Sequence, residues 1–256
     1  MSPNLFLQVT ADAAQWMIES GAEVSYVQDT IEAFGTAIGL RETTCFALPT
    51  GVILTVVDSA GFTATMVRRI SSRSINLGRL LRLQAIVRQA IEHPPALAAI
   101  YQELQQANQT KPYPSPLAIL AGGITAGSFA MFFGGAPLDG LAAMLLGLAV
   151  IALRLLLERS HLPEVFFPAL GGFLAVAGSS LWTLCGWPLQ ASAITIGTLM
   201  LLVPGLALVH SLRDLVAGDL VSSLSRMAEV ALIGAAIALG AATALALIGH
   251  LPGWTQ

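Results

Sequence analysis

The chain has 256 residues, of which 55% are hydrophobic and only 11% are charged, and its mean hydropathy is +0.75. In soluble domains about a quarter of all residues are charged, so this composition excludes a wholly soluble protein. The net charge of −3 does not indicate a class of partner. Nucleic acid is not expected as a partner, because no basic face with interleaved aromatic residues occurs.

The first 115 residues carry 17 of the 27 charged side chains and are predicted to form a cytoplasmic α+β domain. Apolar residues recur at helical spacing over about Leu5–Ser20 and Val24–Ile38, and Gly39 fits the position that follows a helix end. The segments "TTCFAL", "GVILTVVD" and "GFTATMVRR" are strand-like and are separated by "PTG" and "SAG", which predicts a small antiparallel sheet. Two further helices are expected at about Arg73–Glu92 and Pro95–Ala107.

Residues 116–256 are predicted to cross a membrane five times, so the fold class is mainly α and the protein is polytopic. No Asp, Glu, Lys or Arg occurs from Val165 to Leu212 or from Val230 to Gln256, and about 20 apolar residues suffice to cross a bilayer. The first of these runs is too long for one crossing and is divided at Cys185–Gln190. The predicted spans are 116–133, 138–157, 163–184, 189–209 and 227–248.

The basic residues predict how the spans are oriented in the membrane. All twelve Lys and Arg lie in the N-terminal domain or around the connections between spans two and three and between spans four and five. Because cytoplasmic loops carry the excess of Lys and Arg, the N-terminus is expected in the cytoplasm and the C-terminus outside. Trp182, Trp187 and Trp254 then lie near the outer interface. Cys45 and Cys185 fall on opposite sides, which excludes a disulfide between them. The first residues do not resemble a signal peptide.

Small residues recur at four-residue spacing along three predicted spans and allow helix backbones to approach closely. Packing within one subunit is favoured over a dedicated oligomerisation motif. Five spans form a thin bundle, and an odd number cannot contain a complete inverted repeat, so the sequence implies a membrane partner and a higher oligomer. The small residues are Gly123, Gly127, Ala143, Gly147, Gly171, Ala175 and Ser179.

The segment "LLVPGLALVHSLRDLVAGD", residues 201–219, breaks the fourth span and then gathers charges. Pro204 removes a backbone donor and clashes with the preceding turn, and Gly205 adds conformational freedom, so a helix break is predicted there. Broken membrane helices are tolerated where protein buries them or where they line a wet cavity, and in transporters they present their ends to substrates. Two interpretations stay open, a simple proline kink and a substrate site.

Charged residues follow this break and are candidates for a substrate or ion pathway. One amphipathic helix at the inner membrane face is predicted from an apolar stripe of Leu212, Leu215, Val216, Leu220, Val221 and Leu224. The arginines could hold an anionic substrate or only anchor the chain at the inner surface. An ionisable residue near the start of the fifth span is a functional candidate by default. The candidate pathway residues are Pro204, Gly205, His210, Arg213, Asp214, Asp219, Arg226, Glu229 and Arg154.

No constellation of residues for catalysis, metal binding or cofactor binding is found, so an enzyme is not expected. The four histidines, His93, His161, His210 and His250, are isolated from other metal ligands, and neither cysteine has a neighbouring histidine. The sequence contains no G-x-S-x-G elbow and no phosphate loop.

The sequence resembles the threonine/serine exporter family in four stretches, "ESGAEVSYVQDTIEAFGTAIGL", "PTGVILTV", "RSIN" and "LLVPGLALVHSLRDLVAGDLVSSLSRMAEV". The resemblance covers nearly the whole chain, as a module of a cytoplasmic domain followed by five spans. It implies export of a small carboxylate-bearing metabolite, driven by an ion gradient. The family's motif residues carry over to Glu23, Arg73 and Asn76 in the N-terminal domain and to Pro204, Gly205, Asp214, Asp219 and Arg226 further on.

The length of the chain resembles the split form of this family, in which a larger subunit works with a small partner made mostly of membrane helices. The resemblance then implies succinate or a related dicarboxylate as the substrate. It also implies that the spans are embedded in a lipid bilayer. Threonine or serine is the first alternative substrate, although "GAEVSYV" lacks the arginine that many single-chain relatives have after "GAE". A membrane-anchored metabolite sensor is the alternative of another class.

Overall fold

The computed structural model describes residues 3–71, 74–158, 160 and 166–250, and these residues are mainly helical. They form two compact units. The N-terminal unit comprises the described residues up to Pro112 together with Val209–Arg226. The helical unit comprises Tyr113–Leu208 and the described chain from Met227 onward.

The N-terminal unit has the order of helices and strands that the sequence predicts. Its elements are α1 (Pro3–Glu19), α2 (Val24–Ala37), β1 (Glu42–Leu48), β2 (Gly51–Val57), β3 (Thr63–Arg69), α3 (Leu77–Glu92) and α4 (Leu97–Asn108). After α2 the chain turns at Gly39, whose φ is +96°, and the N–H of Leu40 bonds to the carbonyl of Gly35. Gly39 is therefore the helix-terminating glycine that the sequence predicts.

The three strands form an antiparallel sheet in the order β1-β2-β3, as the sequence predicts. Alternate residues of the first two strands are buried, so Cys45 and its partner Leu54 both face the core. In β3, Ala64 and Met66 are half-buried and pack against that core, while the residues between them are exposed. One face of the sheet thus covers the apolar faces of the helices.

The helices that follow are α5 (Ser115–Phe132), α6 (Pro137–Glu158), α7 (Phe166–Leu184), α8 (Ala191–Leu199), α9 (Gly205–Ala217) and α10 (Leu220–Gly249). Among the described residues, α5, α6 and α10 are long and apolar enough to cross a membrane. They coincide with the first, second and fifth predicted spans. The apolar part of α7, Phe166–Trp182, is shorter, and residues 163–165 of the third predicted span lie outside the described residues. Five crossings therefore stay a prediction.

Small residues bring the backbones of the helical unit together, which confirms that they pack within the chain. A Cβ added to Gly127 of α5 would lie 2.7 Å from the carbonyl oxygen of Gly140 in α6. A Cβ on Gly171 of α7 would lie 2.8 Å from the side chain of Leu202. Helices can pack this closely only where the side chain at the crossing is very small.

The fourth predicted span, 189–209, is interrupted as the sequence predicts. Helix α8 ends at Leu199 and α9 begins at Gly205. The break therefore covers residues 200–204, and Pro204 is its last residue. The nine residues of α8 are too few to cross a bilayer, which needs about 20.

The prediction of one amphipathic helix after the break is wrong in one respect, because this segment forms parts of two helices. Gly218 has a φ of +91° and ends α9. Its N–H bonds to the carbonyl of Leu215, and the N–H of Asp219 bonds to the carbonyl of Asp214, which together form a Schellman turn. The predicted apolar stripe is thus divided between α9 and α10, and all its members are exposed, namely Leu212, Leu215, Val216, Leu220, Val221 and Leu224.

Candidate functional site

A cluster of charged side chains forms in the N-terminal unit, where α9 and the first turns of α10 are joined. The hydroxyl of Ser223 donates to the carbonyl of Ser211 at 2.8 Å, and both residues are buried. While the apolar stripe of this segment is exposed, several of its polar residues are buried, namely Ser211, Asp214, Ser222, Ser223 and Arg226. The group, called the charged cluster below, consists of Glu23, His210, Arg213, Asp214 and Arg226.

Arg226 and Asp214 form the buried ion pair of the charged cluster. The Nε of Arg226 lies 3.4 Å from Oδ2 of Asp214, and the two side chains are 7% and 0% exposed. Neither carboxylate oxygen of Asp214 accepts a hydrogen bond from the described residues. Burial raises the pKa of the Asp214 carboxyl above its usual 3.8, and the opposing effect of Arg226 is smaller. Asp214 therefore binds a proton more tightly than an ordinary aspartate.

Glu23 and Arg213 form a second ion pair, which differs from the first in its exposure. The Nε of Arg213 lies 3.2 Å from Oε1 of Glu23, and the Ser25 hydroxyl donates to the same oxygen at 2.9 Å. The Arg213 side chain is 72% exposed, whereas the Glu23 side chain is 10% exposed. Exposed ion pairs contribute about 0.2–1 kcal/mol, whereas removing one partner of a buried pair costs about 3–5 kcal/mol. The Glu23–Arg213 pair is therefore the one in which Arg213 can easily exchange its carboxylate partner.

The two arginines hold successive residues of the turn between α1 and α2. Arg226 donates from Nη2 to the carbonyl of Ala22 at 3.4 Å, and Arg213 binds the carboxylate of the next residue, Glu23. This turn begins at Gly21, whose φ of +97° is a left-handed conformation that glycine adopts without strain. The start of α2 is thus linked to both pairs of the charged cluster.

His210 contributes a neutral side chain to the charged cluster at pH 7. Burial is the main cause that lowers the pKa of His210, and the positive charges of Arg226 and Arg213 act in the same direction. Glu23 raises it by a smaller effect than burial. Since the usual value is 6.5, the imidazole is uncharged at pH 7 and can donate or accept a hydrogen bond. The cluster then contains two positive groups and, with Asp214 ionised, two negative ones.

The other predicted pathway residues lie outside the charged cluster. Asp219 lies in the turn between α9 and α10, and Glu229 is an exposed residue of α10. Arg154 belongs to the helical unit, where its Nε lies 3.1 Å from Oε1 of Glu158 one turn later. Its guanidinium carbon lies 5.8 Å from the ring centroid of Phe167, a cation–π contact. Arg154 thus has two partners that account for its position without a substrate.

The family residues of the N-terminal domain have separate locations. Glu23 is in the charged cluster. Asn76 begins α3, where its side chain accepts from the N–H of Arg79 at 3.0 Å and donates to the carbonyl of Thr110 at 3.2 Å. The first bond caps α3 and the second links its start to the chain after α4, so the structure gives Asn76 a structural role. Arg73 lies outside the described residues.

Part of the backbone at the break before α9 is hydrogen-bonded within the chain. The N–H groups of Leu201 and Leu202 donate to the carbonyls of Thr198 and Leu199, at 3.2 and 2.9 Å. The carbonyl of Pro204 accepts from Leu208 at 3.0 Å. These bonds satisfy groups on both sides of the break, which is one condition for an interrupted helix in lipid. The break does not by itself distinguish a kink from a substrate site.

Asp139 is a buried acid that sequence reasoning missed. It lies in the first turn of α6, where Oδ2 accepts from the N–H of Ala136 and Oδ1 from the N–H of Gln190, each at 2.8 Å. Gln190 is the residue that precedes α8, so one carboxylate links the starts of two helices of the helical unit. An acid three residues after the residue that precedes a helix is the local pattern that could have identified the first of these bonds.

Cys45 does not meet the requirements of a nucleophilic thiol, and the described residues do not meet those of a metal site. Burial raises the pKa of the Cys45 thiol to about 12, and the charge of Glu32 adds to this effect, so Cys45 is not a nucleophile at pH 7. Among the residues that the structure describes, no group of three or more His, Cys, Asp and Glu side chains could hold a metal ion.

Three helices of the described chain, α5, α6 and α10, are long and apolar enough to cross a membrane, which is typical of a helical membrane protein. A family model described as "Putative threonine/serine exporter" matches residues 8–248. The chain therefore belongs to the threonine/serine exporter family, which is a family of membrane transport proteins.

Curated relatives match along nearly the whole chain. A protein of Klebsiella aerogenes named "Probable succinate transporter subunit YjjP" is 28% identical over 94% of this chain and 93% of its own. A protein of Escherichia coli K12 with the same name is 26% identical over 93% of each chain. The "Threonine/serine exporter" of Corynebacterium glutamicum is 27% identical over 91% of this chain, but over only 49% of its own. No solved structure matches this chain.

Proposed function

We propose that this chain is one subunit of a secondary transporter that exports succinate or a related small dicarboxylate. The observation that carries this proposal is the pattern of matched lengths. The two relatives named as succinate transporter subunits are matched over 93% of their chains, whereas the threonine/serine exporter is matched over 49%. Because these relatives are named as subunits, a second membrane subunit is part of the proposal and is expected to be small and multi-span. Together they would form a hetero-oligomer in the bacterial inner membrane.

The charged cluster is the proposed site of substrate recognition and proton coupling. A guanidinium binds a carboxylate by charge-assisted and often bidentate hydrogen bonds, so Arg213 and Arg226 are suited to a dicarboxylate. Its N-terminal location agrees with a substrate that arrives from the cytoplasm, where the positive-inside rule puts the N-terminus. Binding an anion adds negative charge to a cluster that is already balanced, so protonation of an internal carboxylate would favour it.

Asp214 is the proposed proton acceptor, ahead of Asp219 and Glu229. Its side chain is fully buried, its oxygens accept no hydrogen bond from the described residues, and burial raises its pKa. Glu229 is exposed and Asp219 is half-buried, so both are better solvated. Protonated Asp214 no longer neutralises Arg226, which then has positive charge available for a substrate carboxylate.

The test is efflux of labelled substrate from proteoliposomes that contain this chain with and without its small membrane partner. We expect succinate efflux that needs both subunits and a proton gradient, and much slower efflux of threonine and serine. Asp214→Asn and Arg226→Gln should abolish efflux. Arg88→Gln is the matched control, because Arg88 lies in an exposed pair with Glu92 on α3.

The alternatives have distinct outcomes in the same experiment. Faster efflux of threonine than of succinate would favour the amino-acid exporter, as the name of the Corynebacterium relative suggests. Binding of a metabolite without efflux of any tested substrate would favour the sensor. Unchanged succinate efflux in both charged-cluster variants would reject the proposed site.

A further inference from the structure

We infer that Arg213 is a binding site for a free carboxylate group and that Glu23 of the chain itself occupies this site until a substrate carboxylate displaces it. This inference rests on the proposed function and adds to it the identity of the competing group. It assigns Glu23 the role of an internal ligand.

The exposure of the two partners allows such an exchange. Arg213 is 72% exposed, so a carboxylate from solution can approach its guanidinium while Glu23 is still bound. Glu23 is 10% exposed, and its Oε1, the oxygen that Arg213 contacts, also accepts from the Ser25 hydroxyl at 2.9 Å. The released Glu23 carboxylate therefore keeps a hydrogen-bond donor beside it.

The repulsion between carboxylates explains why exchange is preferred to simple addition. Two arginines face two carboxylates in the charged cluster, and His210 is neutral. A third carboxylate added at Arg213 would lie beside Glu23 on one guanidinium, close to the buried Asp214, which accepts no hydrogen bond from the described residues. If the incoming carboxylate replaces Glu23 at Arg213, Glu23 keeps its charge but lies farther from the new carboxylate, so their mutual repulsion falls.

The chemistry of glutamate indicates which ligand fits. The Glu23 side chain ends in –CH₂–CH₂–COO⁻, and succinate consists of this same fragment with a second carboxylate. Threonine and serine carry an ammonium group next to their carboxylate, and two arginines repel it. The contact that Glu23 makes is therefore one that a small dicarboxylate reproduces better than a zwitterionic amino acid does.

Displacement of Glu23 also affects the buried pair of Arg226 and Asp214, through the backbone of Ala22. Ala22 directly precedes Glu23, and its carbonyl accepts from Arg226, the partner of Asp214. A shift of Glu23 therefore disturbs a contact of the arginine that neutralises the proposed proton acceptor. Carboxylate binding at the exposed arginine is coupled in this way to the protonation of Asp214.

The test is calorimetric titration of succinate into the purified complex of this chain with its membrane partner in nanodiscs. Glu23→Gln removes the competing charge and should lower the Kd for succinate roughly two- to fivefold, the range expected for loss of an exposed ion pair. Ser25→Ala loosens Glu23 and should lower the Kd by less. Arg213→Gln should abolish binding, with or without Glu23→Gln. Glu92→Gln is the matched control, since it removes an exposed glutamate paired with an arginine elsewhere.

The outcomes separate this inference from the proposed function. If the wild type binds and exports succinate but Glu23→Gln and Ser25→Ala bind it no more tightly, the internal-ligand role is rejected and the transporter proposal stands. If the wild type neither binds nor exports succinate, the proposed function itself fails. Should Glu23→Gln not fold, Glu23→Asp, which retracts the carboxylate by one methylene, is expected to lower the Kd as Ser25→Ala does.

Discussion

Asp214 of α9 and Arg226 of α10 face each other at 3.4 Å inside the N-terminal unit, and both side chains are buried. Two charges taken from water in this way depend on each other, because either one alone would be an uncompensated buried charge. The pair therefore ties α10 to α9 beyond the turn at Gly218.

A double-mutant cycle measures this dependence. Asp214→Leu and Arg226→Met should each lower the free energy of unfolding by about 3–5 kcal/mol, because each leaves one buried charge without its partner. The double variant should recover most of that loss. Chemical denaturation in detergent, followed by circular dichroism, gives the three values. Losses in the double variant equal to the sum of the single losses would contradict a direct pair.

The same carboxyl should make stability depend on pH. Because burial raises the pKa of Asp214 above 3.8 in the folded protein, the folded state binds this proton more tightly than the unfolded chain does. The free energy of unfolding should therefore fall as pH rises from 3.8 through the folded-state pKa. Asp214→Asn should remove this part of the pH profile, and Glu103→Gln, at an exposed position, should leave it. Identical profiles for wild type and Asp214→Asn would count against a raised pKa.

A buried hydrogen-bond network in the N-terminal unit predicts a stability effect at Tyr101. Its hydroxyl donates to Oδ2 of Asp12 at 3.1 Å and accepts from Gln8 at 2.9 Å. Arg68 also binds Asp12, with Nη2 at 2.9 Å from Oδ1. Tyr101→Phe leaves these polar groups short of a partner and should cost about 1–3 kcal/mol in the free energy of unfolding. The control Tyr113→Phe, at a residue that is 76% exposed, should change stability little.

Two glycines on α10 should respond in opposite directions to alanine. A Cβ at Gly240 would overlap the carbonyl oxygen of Ala169 in α7, whereas a Cβ at Gly234 would meet no atom within 4 Å. Gly240→Ala should therefore lower the thermal unfolding midpoint of the purified protein. Gly234→Ala should maintain or raise it, because alanine favours a helix by about 1 kcal/mol over glycine. Equal midpoints for the two variants would show that the α7–α10 crossing is looser than described.

The two cysteines allow a test of orientation. Cys45 is buried with a pKa of about 12 and should not react with a maleimide at pH 7. Cys185 is exposed in the connection between α7 and α8, which the positive-inside rule puts outside the cytoplasm. A membrane-impermeant maleimide should therefore label Cys185 in spheroplasts, and Cys185→Ser should abolish the label. Labelling of Cys185 only in inside-out vesicles would reverse the expected orientation.

Local sequence patterns predicted the elements of the N-terminal unit well. Alternation identified the strands, since residues such as Ala64 and Met66 face one side of the sheet. Gly39 marked the end of α2, because only a left-handed residue closes that turn. The break at Pro204 followed from the missing backbone donor of proline. Each of these features depends on neighbours within a few residues.

The features that the sequence did not reveal depend on distant residues or on weak local preferences. Helical spacing of the apolar stripe continues through Gly218, and a glycine costs only about 1 kcal/mol inside a helix, so the division into α9 and α10 was missed. The pairing of Glu23 with Arg213 joins two residues 190 positions apart, and no spacing rule relates them. No spacing rule relates Asp139 to Gln190 either, since these residues are 51 positions apart.

The interruption between α8 and α9 presents apolar side chains on its outside, and this determines which surroundings suit it. Such a surface favours acyl chains or an apolar face of another protein as its neighbour. The outward side chains at this level, Val203, Leu206 and Leu208, are all aliphatic. The bend can therefore lie within a dry assembly and still be a place where the chain changes direction.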